Sequence, residues 1–171
     1  IVACGVQGRS NLEALACLFP LRQVKAYDLH PEVALRYARE MAERLNLDIV
    51  PVKTLPEAVK GLDIVVTSGP ILKNPKPSIE PGWLAPGSFA SLVDFDSYWQ
   101  GAALREVDKL ATDDLAQMRY YRQEGYFRET PEVYADLGEL VAGQKPGRES
   151  DSERTASINL GLALDDVATA I

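Results

Sequence analysis

The chain has 171 residues, 46% of them hydrophobic and 25% charged, with a net charge of −7. That length suits one domain able to bury roughly 70% of its unfolded surface, and the composition excludes wholesale disorder. The acidic balance argues against nucleic acid, two cysteines point to a reduced, cytoplasmic setting rather than a disulfide framework, and no apolar run reaches the roughly 18 residues of a membrane span.

Ile1–Cys4 reads as a short buried strand, running through Gly5-Val6-Gln7-Gly8 into a helix over about Asn11–Phe19. Opening on Ile1 inside a strand, the sequence is expected to be a fragment cut just before a nucleotide-binding unit. Gln23–Tyr27 is the second strand and ends at Asp28. A helix opens at His30-Pro31-Glu32, with proline where its missing N–H costs nothing, and places Ala34, Ala38, Met41, Ala42 and Leu45 on one face. Asp48–Val52 is a third strand, Leu55–Lys60 a short helix behind Thr54, and Asp63–Thr67 a fourth, β-branched strand.

Five prolines between Gly69 and Gly87 predict a long loop. Ser88–Phe95 follows as a fifth strand, then a helix near Ser97–Val107, a strand near Lys109–Thr112, and helices over Asp113–Phe127 and Tyr134–Val141. Gln144–Ser152 is a polar loop, and Ile158–Ile171 a final apolar helix. Repeated strand–helix units predict an α/β fold of Rossmann type: a doubly wound, mostly parallel sheet with helices on both faces. Ligands of such sheets sit beyond the C-terminal strand ends, which gathers Gly5–Gly8, Asp28, Thr67 and Asp94–Asp96 along one edge.

Ala3-Cys4-Gly5-Val6-Gln7-Gly8 follows the G-x-G-x-x-G pattern with alanine at the first glycine. Gly5 lets a diphosphate approach the backbone, Gly8 lets helix pack on strand, and the helix N-terminus offers free amides. Asp28 lies 20 residues after Gly8, the spacing of the ribose-binding acid. The same carboxylate would repel a 2′-phosphate by about 4 kcal/mol at contact, and no Arg or Lys follows in Leu29-His30-Pro31. The expected cofactor is therefore NAD rather than NADP. His30, the one histidine, either lines the adenine end or is a solvated turn residue. Cys4 and Cys17 have no companions for a metal site, and Cys4 reads as core filling. Strand alternation points Asp94 and Asp96 to the same side, either dividing acid–base work or capping the helix from Ser97.

The chain resembles the ornithine cyclodeaminase/mu-crystallin family over almost its whole length. The resemblance is carried by Gly5-Val6-Gln7-Gly8-Arg9, by Glu57–Thr67, by Leu84-Ala85-Pro86-Gly87-Ser88, by Leu137–Arg148, and by Thr155 with Leu160–Asp166. It implies one NAD-binding Rossmann domain over residues 1–171, with a preceding substrate and dimerisation domain absent here, and a homodimer for the full-length protein. It also implies Asp96 as the catalytic aspartate, with Gly5, Val6, Gln7 and Gly8 at the diphosphate and Asp28 at the adenosine ribose. Thr67 and Val93 would line the nicotinamide half, and Asn159 stands where relatives carry serine. Arg9, His30 and Ser68 are further cofactor-binding candidates. The implied activity is conversion of L-ornithine, a small amino-acid substrate, to L-proline and ammonia by internal hydride transfer. The family also includes alanine dehydrogenases, ketimine reductases and a crystallin, so the alternatives are an amino-acid dehydrogenase, a ketimine or imine reductase, or a non-catalytic NAD(P)H-binding protein. Asp94-Phe95-Asp96 departs from the family's Gly-Gly-Asp.

Overall fold

The computed structural model describes residues 1–170. In chain order its elements are α1 (Val6–Leu18), β1 (Gln23–Ala26), α2 (Pro31–Leu45), β2 (Asp48–Pro51), α3 (Leu55–Val59), β3 (Ile64–Thr67) and β4 (Phe89–Leu92). Then come α4 (Gly101–Leu104), β5 (Lys109–Thr112), α5 (Leu115–Gln123), β6 (Ala135–Asp136), α6 (Leu137–Val141), β7 (Thr155–Ile158) and α7 (Ala163–Ala170). All strand pairs are parallel, β1 with β2 and β3-β4-β7-β5-β6 in a second sheet. Val2 bridges both Tyr27 and Thr67, so the opening segment lies between β1 and β3 and joins the two sheets edge to edge.

Side-chain alternation sorts the core into two layers. Ile1, Val24, Ala26, Ile49 and Val66 pack with α1 and α2, while Val2, Val65, Ala90, Leu92, Leu110 and Ile158 pack with α3, α4 and α5. Adjacent Val65 and Val66 thus face opposite layers, as a strand covered on both sides requires. Among the described residues no helix is long and apolar enough to cross a membrane.

Several predicted elements are corrected. The first strand is reduced to the Val2 bridge, and α1 begins five residues earlier than expected, directly on the glycine turn. The helix expected over Ser97–Val107 is only Gly101–Leu104, because Trp99 pairs with Ile79 and Gln100 is extended, which delays the helix to Gly101. Ile158, read as the start of the last helix, ends β7, the strand inserted between β4 and β5. The helix itself starts at Ala163, and its expected last residue, Ile171, lies outside the described residues. β6 replaces the first turn of the helix expected from Tyr134.

Three of the family-like blocks build scaffold. Asp136 and Glu139 form a reciprocal capping box on α6, and Glu139 also pairs with Lys145 at 3.1 Å. The Arg148 guanidinium donates to the carbonyls of Gly87 and Ser88 and to the Thr155 hydroxyl, tying the starts of β4 and β7 together.

Candidate functional site

The opening turn is built for close approach. Ala3, at the first-glycine position, adopts φ +70°, a left-handed conformation that costs an L-residue roughly 1–2 kcal/mol. A Cβ on Gly8 would run into the Ala3 carbonyl oxygen, so this glycine is required for packing α1 on the turn. Gly5 differs: its φ is −78°, and a Cβ there would meet nothing within 4 Å. Neither strain nor packing requires glycine there; it is the N-cap of α1, and its bare backbone leaves open space beside it. α1 has no side-chain cap and no acid in its first turn, so its leading amides keep their donors for an anion. Val6 is 81% exposed beside them.

Hydrogen bonds link the strand ends in one run. The Asp28 carboxylate accepts from the Cys4 amide at 2.9 Å and from the His30 amide at 3.0 Å, fixing the phosphate-type turn to the end of β1. It remains partly exposed, with lone pairs left for a sugar hydroxyl. Ser68 Oγ donates to the Ala3 carbonyl at 3.1 Å, and Val93 N to the Thr67 carbonyl at 2.8 Å. Thr67 itself is fully buried: its hydroxyl donates to Asp94 Oδ1 and accepts from Trp99 Nε1.

Of the remaining candidates, Arg9 turns toward α2, where it pairs with Glu40 at 2.6 Å and lies over the Tyr37 ring. His30 is the N-cap residue of α2, its side chain in solvent. The Asn159 amide bridges Ser157 and Ser91, so its polar atoms hold β7 against β4. Burial pushes the Cys4 thiol up to about 12, which keeps it neutral and unreactive.

Asp94 and Asp96 do not share a side, contrary to the alternation expected of them. β4 ends at Leu92, and Phe95 between them takes φ +59°, a strained backbone for an aromatic residue. The strain is held by packing, since the Phe95 ring stacks on Phe127 and meets Tyr121 and Tyr126 edge-on. Asp94 is consequently buried, taking the Thr67 hydroxyl and, at 3.0 Å, the Tyr98 amide. Asp96 Oδ2 accepts from Phe127 N at 2.7 Å, while its Oδ1 is buried with no partner. It lines a cavity of about 350 Å³ with Lys73, Asn74, Trp99, Arg128 and Thr130. A mostly apolar cavity of about 450 Å³ between Leu12, Phe19, Val24 and Ile64 lies at the other ends of the strands.

Burial is the main reason the Asp94 carboxyl is pushed up to about 6, outweighing the Thr67 and Tyr98 bonds that favour its ionised form. The folded state then holds that proton more tightly than the unfolded chain does. The stability Asp94 contributes is fully present below about pH 4 and is lost as pH rises through about 6. Between pH 7 and pH 4, wild type is therefore expected to gain up to about 3 kcal/mol relative to Asp94→Asn. Denaturant melts of both proteins across that range measure the difference, and a pH-independent gap would contradict it.

A doubly wound parallel sheet whose glycine turn opens an uncapped helix, with an acid closing the next strand, defines a dinucleotide-binding domain of Rossmann type. The chain belongs to the ornithine cyclodeaminase/mu-crystallin family, whose model matches residues 1–171. An alanine dehydrogenase from Archaeoglobus fulgidus is 31% identical over 183 residues, 99% of this chain and 53% of its own length. The structure of Thermococcus litoralis Δ1-pyrroline-2-carboxylate reductase in complex with NADH and L-proline superposes with a TM-score of 0.83 at 28% identity, covering 99% of this chain and 54% of that one. An archaeal alanine dehydrogenase dimer with bound NAD gives 0.80 at 28% identity, covering 99% and 53%. The chain thus spans about half the length of the relatives it matches.

Proposed function

We propose that this chain is the NAD-binding domain of an enzyme that oxidises or reduces the carbon–nitrogen bond at the α-carbon of a small amino or imino acid. The single observation that carries the reading is Asp96, whose Oδ1 is buried and unpartnered in a polar cavity at the end of β4. Its neighbours Lys73 and Arg128 form no ion pair among the described residues and offer positive charge to a substrate carboxylate. Asp96 then faces the substrate nitrogen and exchanges its proton.

The turn fits the cofactor, because a Cβ would fill the open space at Gly5 where a diphosphate would lie. Gly5, Val6, Gln7 and Gly8 would hold the diphosphate by their backbone, and Asp28 would accept from an adenosine ribose hydroxyl. The cofactor is NAD(H), which supplies hydride acceptance and donation when bound. The Thr67 side chain, committed to Asp94 and Trp99, serves the site from below rather than by touching the cofactor. Relatives nearly twice as long support placing further substrate contacts, and the surface of a homodimer, beyond these residues.

A net dehydrogenase or imine reductase is favoured over cyclodeamination, because the named relatives at 28–31% identity are a dehydrogenase and a reductase. The test is a screen of α-amino acids with NAD⁺, and of cyclic imines with NADH, on the full-length protein, following both nicotinamide absorbance and product mass. A substrate-dependent net change in NADH is expected, with NADPH a weaker partner by about tenfold or more. Product formed with no net NADH change would show cyclodeamination instead, and absence of NADH binding would overturn the reading.

A further inference from the structure

Tyr98 belongs to neither the motifs nor the residues the family resemblance carries, yet the fold sets its ring over Gly69, just past the C-terminal end of β3. Its backbone is pinned on both sides: the amide donates to Asp94 Oδ2, and the carbonyl accepts from Ser78 N at 2.9 Å and Ile79 N at 2.8 Å. Its ring lies on Gly69, just past the end of β3. A Cβ built on Gly69 would collide with Tyr98 Cε2 and lie 3.0 Å from the hydroxyl oxygen. The space above this glycine is therefore the seat of the ring. The preceding residue, Ser68, bonds to the Ala3 carbonyl, so the hydroxyl stands beside the glycine turn. That hydroxyl makes no hydrogen bond within the described residues and is not buried, so it is accessible to a ligand at this strand end.

We infer that Tyr98 is a cofactor-binding residue, its hydroxyl donating to the sugar–diphosphate stretch of the dinucleotide between the adenosine held at Asp28 and the reacting end at Asp96. The inference rests on the NAD reading above. Burial, with Asp94 and Asp28 nearby, pushes the phenol up to about 12. It is thus a neutral donor at physiological pH, suited to an anionic or hydroxyl acceptor rather than to service as a base.

Tyr98→Phe keeps the ring on Gly69 and removes only the donor. In the full-length protein its affinity for NADH, read by fluorescence titration, is expected to fall about tenfold, as loss of a hydrogen bond to a charged acceptor predicts. ADP-ribose should lose the same factor and adenosine should lose none, while the cofactor-free melting temperature stays within about 1 °C because no protein partner is lost. Unchanged NADH affinity overturns the inference. So does an equal loss for adenosine, which would put the contact at the nucleoside, or an unaffected ADP-ribose, which would put it at nicotinamide. A lowered melting temperature would show a structural role and overturn it too. Wild-type protein that binds no NADH would instead defeat the NAD reading itself, and this inference with it.

Discussion

Gly5→Val is expected to weaken NADH binding about a hundredfold, roughly the 3 kcal/mol of a steric clash with lost charge-assisted bonds, and to leave the fold standing. The separation follows from the surroundings of the two glycines. Gly5 has an ordinary negative φ and open space beside it, so the Cβ of a valine there meets no protein atom within 4 Å. Its cost to the fold is confined to the cap preference of α1, a shift of no more than about 3 °C in melting temperature. Gly8→Ala should behave in the opposite way. Its methyl is driven onto the Ala3 carbonyl, a backbone atom that cannot swing aside, and stability falls by about 1–3 kcal/mol whether or not cofactor is present. Paired titrations and melts of the two variants measure both effects. Equal NADH affinity for Gly5→Val and wild type would remove the diphosphate from this turn.

Asp96→Asn in the full-length protein is expected to lower turnover about a thousandfold while NADH affinity changes less than about twofold. Asparagine keeps the shape of the side chain and still accepts from Phe127 N, so the turn that Phe95 strains should persist. What disappears is the exchangeable proton on the oxygen now buried without a partner. Steady-state rates with the identified substrate, beside NADH titration, provide the measurement. Retained turnover would exclude Asp96 as the acid–base group, whereas a parallel loss of cofactor affinity would make it part of the dinucleotide site.

The half of the candidate site proposed for adenosine is more legible in sequence than the half proposed for the reaction. Gly5, Gly8 and Asp28 are separated by spacings that a strand, a turn and a helix impose by their own geometry, so local rules suffice to read them. The start of the helix on the turn itself is not legible, because Val6-Gln7-Gly8 carries no capping side chain to announce it, and that lack is what leaves the amides free. Alternation puts Asp94 and Asp96 on one side, a rule that lapses where β4 stops at Leu92 and Phe95 turns left-handed. Their separation is set by Phe127, Tyr121 and Tyr126, more than 20 residues downstream. Tyr98 had no signal: its importance depends on Gly69 presenting a bare backbone across the strand end.

The sequence by itself determined the class of sheet, the glycine turn and the acid that follows it, because hydrophobic period, turn chemistry and short spacings are properties of neighbouring residues. Tertiary structure alone decided that Thr155–Ile158 is a strand between β4 and β5. It likewise decided that Thr67 is spent on Asp94, that Arg148 is scaffold, and which oxygen of Asp96 is left without a partner. Each of those outcomes depends on which distant groups arrive to satisfy a buried donor or acceptor. That pairing exists only once the layers have closed over the sheet.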